Sequence, residues 1–238
     1  MTQQLWNGLA KSFETAVCDV TASSGAQLTE LVRRTGPNRG QTLVDAGCGI
    51  GSFLKRFGGR YGNVIAFDFA RRMVTRAKKR CPALRDVTWK TLGLEDAAAA
   101  IGPVGDLTVC LNVITSTDAK LRRRQWASLA GLARSGGYVL VVVPALESAL
   151  HVQRFAEDDN KIHGSDFKRG MVFRGDDRQK HYTRDELRKI VAHEGLRVVA
   201  LKRIHYAWAD DGVHDPGRRR PWSWACLARR RKQSAQSG

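Results

Sequence analysis

Residues 42–57 read Thr42-Leu-Val-Asp-Ala-Gly-Cys-Gly-Ile-Gly-Ser-Phe-Leu-Lys-Arg-Phe57. A short apolar run ends near Asp45, glycines follow at 47, 49 and 51, and an apolar-periodic segment opens at Ser52. This is a strand, a tight turn and a helix start, the place where an open α/β sheet holds a nucleotide-like ligand. The glycine spacing is G-x-G-x-G. A dinucleotide fingerprint, G-x-G-x-x-G, needs glycine at 52, where this chain has Ser52. Asp45 aims a carboxylate at the turn. Beside a pyrophosphate it repels; beside an ammonium it attracts. The pattern therefore points to a ligand that brings a cation rather than a pyrophosphate.

A second carboxylate extends the pattern. Val64-Ile-Ala-Phe-Asp68 reads as the next buried strand, and its last residue stands roughly 20 residues past the turn, the position of a ribose-binding acid. On the D-A-G-C-G-I-G and I-A-F-D-F segments, the chain resembles the class I S-adenosylmethionine-dependent methyltransferases. The resemblance runs from about Thr42 to Pro144; beyond Pro144 it is one of element order. It implies S-adenosylmethionine as cofactor and S-adenosylhomocysteine as product. That cofactor carries an ammonium, a sulfonium and a carboxylate, and no phosphate.

Composition sets the bounds. The 238 residues, 42% hydrophobic with six Trp and eight Phe, suffice for a real core. No apolar run reaches the roughly 18 residues a membrane helix needs. The N-terminus lacks the basic-then-apolar pattern of a signal peptide. The five cysteines form no C-x-x-C pair, so they read as reduced thiols in a cytoplasm, with no metal site. The net charge of +17 is spread along the chain. It favours acidic partners in general, and nucleic acid is possible but not favoured. No RRM-like basic-aromatic module or zinc finger is present.

Along the chain, residues 1–40 read as a helical N-terminal cap. Strands at 42–46, 64–68, 87–90, 105–112 and 138–144 then alternate with helices at about 52–57, 70–80 and 121–133, which is a parallel sheet covered on both sides. The strand at 138–144 is too apolar for a wet face. Residues 145–182, polar and rich in Gly and Asp, read as an irregular insertion that covers the substrate. Thr183-Arg-Asp-Glu186 reads as a capping box. Strands at 196–208 and 222–228 follow, and 229–238 reads as a flexible basic tail. The expected fold is α/β: one methyltransferase domain over 1–228, with a Rossmann-like, seven-stranded, mostly parallel sheet, helices on both faces and the last strand antiparallel.

The resemblance also implies roles. Asp45 takes the methionine ammonium. Gly47 and Gly49 let the backbone approach, with Cys48 between them as a small side chain without chemistry of its own. Asp68 holds the ribose hydroxyls, and Phe69 covers the adenine. The usual Gly-Asp pair after the third strand is absent from Thr91-Leu-Gly-Leu-Glu-Asp96, so Leu94 packs on the adenine and Glu95 or a backbone group meets its amine. Asn112 and Val113 end the fourth strand under the methionine, while Trp6 and Phe13 match an aromatic pattern in a helix that closes over the cofactor. For the acceptor wall, His181, His205 and Tyr206 are the candidate catalytic residues, and His151, Tyr182 and Trp208 the candidate substrate contacts. Strand alternation puts His205 and Tyr206 on opposite faces. The expected acceptor is an oxygen or nitrogen of a small molecule; the alternative is RNA or protein. No oligomeric state is readable.

Overall fold

The structure, a computed structural model, describes residues 8, 21, 24–157, 162, 164–174 and 177–232. Trp6 and Phe13 lie outside these residues, as does most of the expected N-terminal cap. The first described helix is α1 (Gly25–Arg33). From there the chain runs β1 (Thr42–Ala46), α2 (Ser52–Phe57), β2 (Asn63–Asp68), α3 (Arg71–Arg80), β3 (Val87–Thr91), α4 (Leu94–Ile101), β4 (Gly105–Leu111), α5 (Ala119–Leu132) and β5 (Ala133–Pro144). The second half holds α6 (Leu146–Val152), β6 (Met171–Arg174), β7 (Asp177–Lys180), α7 (Arg184–His193), β8 (Leu196–His205) and β9 (Trp222–Arg230).

Seven strands form one sheet in the order β3-β2-β1-β4-β5-β9-β8, and only β9 runs antiparallel to its neighbours. The period-2 pattern explains the layering. In β5, Val139, Val141 and Val143 face one apolar layer, which includes Trp126 and Leu129 of α5 and Leu187 of α7. Leu140 and Val142 face the other, with Leu28 and Leu31 of α1 and Phe53 and Phe57 of α2. A strand covered on both sides has no need of polar alternation, which is why this one reads as a continuous apolar run. The chain steps outward from β1 to β3 and then returns to β4 on the other side of β1. That reversal leaves a crevice at the carboxyl ends of β1 and β4, where open α/β sheets bind ligands.

Several boundaries differ from the sequence reading. α4 and α6 occupy stretches read without helices. The insertion carries a two-stranded hairpin, β6–β7, with Met171 opposite Lys180. β8 stops at His205, and a 3₁₀ turn at Trp208–Asp211 follows. β9 continues to Arg230, so the basic tail begins later than expected. The cause is local: Arg230 donates to the carbonyls of Ala130, Gly131 and Ala133, satisfying the end of α5, and Arg229 donates to Gly136 O at 2.9 Å. The capping box is half formed. Thr183 Oγ1 accepts from the Glu186 amide at 3.1 Å, but the Glu186 carboxylate turns to Lys180 at 2.7 Å.

Candidate cofactor and acceptor site

The turn after β1 is held by its own backbone. The amides of Gly47 and Cys48 both donate to Phe67 O at 2.9 Å, and Gly49 N donates to Asp68 Oδ2 at 3.1 Å. Gly47, Gly49 and Gly51 all have left-handed backbone, with φ of 77°, 51° and 81°. That conformation costs other residues about 1–2 kcal/mol each. A Cβ on Gly47 would also lie 2.3 Å from Val113 Cγ2. The glycine therefore also makes room for a side chain from the loop after β4.

Two buried carboxyls face this turn. Asp45 is 3% exposed, and its Oδ2 has no hydrogen-bond partner. Asp68 accepts from Ala70 N at 2.8 Å as well as from Gly49. Burial raises the Asp45 pKa to about 7, with a further push from the charge of Asp68. Burial also raises Asp68 to about 6, against the pull of the two backbone amides. These carboxyls, one with an unsatisfied oxygen, call for a cation and for hydroxyl donors.

Both open into a cavity of about 300 Å³. All ten described residues expected around the cofactor line it: Asp45, Gly47, Cys48, Gly49, Asp68, Phe69, Leu94, Glu95, Asn112 and Val113. Asn112 has left-handed backbone (φ 54°), and its buried Oδ1 lacks a partner. Glu95 approaches Gln125, Oε2 to Nε2, at 3.5 Å. The residues fit S-adenosylmethionine by their chemistry. Asp45 offers an unpaired oxygen for the ammonium, Asp68 a carboxylate for the ribose diol, and Phe69 and Leu94 apolar surface for the adenine. Sequence reasoning missed Ser52, Thr115, Gln125 and Arg178, which also line the cavity. Ser52 directly follows the glycines; the other three carry no local signal.

None of the residues expected in the acceptor wall lines this cavity. His181 sits half-buried with Nδ1 3.4 Å from Ala145 O, and burial together with Arg174 and Lys180 lowers its pKa to about 4. Tyr182 is a core residue, 1% exposed, whose hydroxyl donates to Ile114 O at 2.8 Å. His205 places Nδ1 3.0 Å from Arg220 O, and the amide of Tyr206 donates to Pro221 O at 3.1 Å. His151 packs beside Phe155, Trp208 and Trp222, with Nε2 2.8 Å from Arg219 O. Trp208, 2% exposed, belongs to that aromatic cluster. The expected catalytic roles of His181, His205 and Tyr206, and the substrate contacts of His151, Tyr182 and Trp208, therefore gain no support from this geometry. Tyr182, His151 and Trp208 are taken up by core or aromatic packing, and His181 and His205 face backbone carbonyls.

Residues 44–139 match the family model of a methyltransferase domain. No curated protein matches the sequence. Solved structures share the fold. One, described for the conversion of a disulfide bond into a thioacetal group during echinomycin biosynthesis, aligns with a TM-score of 0.68 at 17% identity, covering 98% of this chain and 95% of that one. The N-methyltransferase NodS of Bradyrhizobium japonicum WM9, bound to S-adenosylhomocysteine, aligns at 0.61 and 14%, covering 86% of each. The magnesium protoporphyrin IX methyltransferase ChlM of Synechocystis PCC 6803, bound to S-adenosylmethionine, aligns at 0.55 and 17%, covering 96% of this chain and 79% of that one. The matched methyltransferase domain spans the glycine turn, Asp45 and Asp68, the part of the chain that opens into the switch-point cavity.

Proposed function

We propose that this enzyme methylates an oxygen or nitrogen of a small molecule in the cytoplasm, and that residues 145–182 cover the acceptor. The observation that carries this reading is Arg178. It comes from the hairpin of that segment, yet lines the same cavity as Asp45 and Asp68. A wall closed by the chain itself suits a small acceptor better than a polymer. NodS and ChlM, which share the fold, are an N-methyltransferase and a magnesium protoporphyrin IX methyltransferase.

In this reading Asp45 takes the cofactor ammonium, Asp68 the ribose hydroxyls, and Phe69 and Leu94 the adenine. When bound, the cofactor supplies an electrophilic methyl group. The titratable side chains among the described lining residues are Asp45, Cys48, Asp68, Glu95 and Arg178, with no His, Lys or Tyr. What these described residues offer to catalysis is positioning and exclusion of water. The test is to incubate the enzyme with methyl-tritiated S-adenosylmethionine and a cell extract, then separate products by size. Label in the dialysable fraction supports the reading. Label confined to RNA or protein overturns it.

A further inference from the structure

We propose that the methyl acceptor carries an anionic oxygen group, a carboxylate or a phosphate, and that the Arg178 guanidinium holds it. The inference rests on the small-molecule reading above. Among the described residues lining the cavity, Arg178 is the one cation; the other charged side chains, Asp45, Asp68 and Glu95, are acids. The acids suit the cationic end and the hydroxyls of the cofactor. They leave the arginine as the recognition element for something negative.

The neighbouring cations of the hairpin are already committed. Arg174 pairs with Asp211 at 2.9 Å, and Lys180 pairs with Glu186 at 2.7 Å while donating to Arg169 O at 2.8 Å. No carboxylate among the described residues pairs with Arg178. Its guanidinium lies over the Phe173 ring, 5.2 Å from the centroid, a contact that orients the group without neutralising it. The strand beneath it is anchored: two residues on, the Lys180 amide donates to the carbonyl of Thr115 at 2.8 Å, and Thr115 also lines the cavity. A planar fork held this way suits a carboxylate or phosphate bidentately. The net charge of +17 acts in the same direction, raising the local concentration of small anions.

The test extends the labelling experiment. Tritiated small-molecule products from the wild-type enzyme are passed over an anion exchanger, and a phosphatase step separates phosphate from carboxylate acceptors. We expect the labelled product to be retained. Arg178→Gln should cut its formation about ten- to hundredfold, the range for losing a charge-assisted hydrogen bond. Arg178→Lys should recover part of it, and the Kd for S-adenosylhomocysteine should stay within about twofold by calorimetry. Arg178 is exposed, so both variants should fold. A labelled product that elutes as a neutral or a cation overturns the inference but leaves the small-molecule reading standing. So does undiminished labelling by Arg178→Gln. An equal loss of S-adenosylhomocysteine affinity shows instead that Arg178 holds the cofactor carboxylate. Label found only in macromolecules removes both readings together.

Discussion

The Gly49 amide donates to Asp68 Oδ2 at 3.1 Å, and this bond ties the glycine turn after β1 to the end of β2. Asp68 therefore shapes the turn that forms the cavity and offers its carboxylate to the cavity as well. Asp68→Ala should weaken S-adenosylhomocysteine binding by about 1.5–3 kcal/mol, the range for hydrogen bonds to a charged group. Calorimetry on the folded variant checks it, and unchanged affinity would show that the ribose lies elsewhere.

Binding should also depend on pH. Asp45 and Asp68 are raised to about 7 and about 6 from a usual value of 3.8. In the free enzyme, stability from these groups is fully present below about 3.8 and is lost as pH rises through 6 and 7. A ligand that brings an ammonium favours the ionised form. Affinity for S-adenosylhomocysteine should therefore climb between about pH 5.5 and 8 and then level off. Asp45→Asn should bind more weakly and flatten the upper part of that climb. Thermal shifts with and without S-adenosylhomocysteine across this range give the readout, and identical profiles for the two proteins would refute the assignment.

The site divides into a part that was legible in the sequence and a part that was not, for reasons of contact distance along the chain. The turn, Asp45, Asp68 and the strands that carry them depend on neighbours within one βαβ unit, so their pattern is local. α4 escaped because half of Leu94–Ile101 is alanine and the stretch offers few large apolar anchors to show a period, although Glu95 and Asp96 mark its first turn. α6 escaped because the glycines and aspartates after it set the reading of the whole segment. Arg178 was one of 40 basic residues. What brings it to the cavity is the Lys180–Thr115 backbone bond, a pairing between distant parts of the chain that composition cannot show. His205 was harder to place, because a titratable ring at the end of a late strand looks the same in sequence whether it faces a ligand or a backbone carbonyl.

Gly47 offers a separable test of packing. Gly47→Ala meets two penalties, left-handed backbone at φ 77° and a Cβ 2.3 Å from Val113 Cγ2. The first costs about 1–2 kcal/mol and the second about 1–3 kcal/mol. Adding Val113→Ala should recover the packing part only. Urea melts of both single variants and the double variant would show this as a coupling of about 1 kcal/mol or more. Strict additivity would mean that the loop after β4 moves aside freely.

The last prediction concerns the pair that fixes the hairpin. The Lys180 side chain is 4% exposed, whereas Glu186, 2.7 Å away, is 37% exposed. The two deletions should therefore be unequal. Glu186→Ala leaves a buried ammonium facing Arg169 O and the Tyr182 ring without its counter-charge. Lys180→Met leaves a carboxylate that water can reach, with an apolar chain filling the vacated space. Removing one partner of a buried pair costs about 3–5 kcal/mol, so Glu186→Ala should approach the lower end of that range and Lys180→Met should cost about 1 kcal/mol. Denaturant unfolding measures both. If Lys180→Met proved the more damaging, the ammonium would be held chiefly by Arg169 O and the ring, and Glu186 would be a surface partner of little weight.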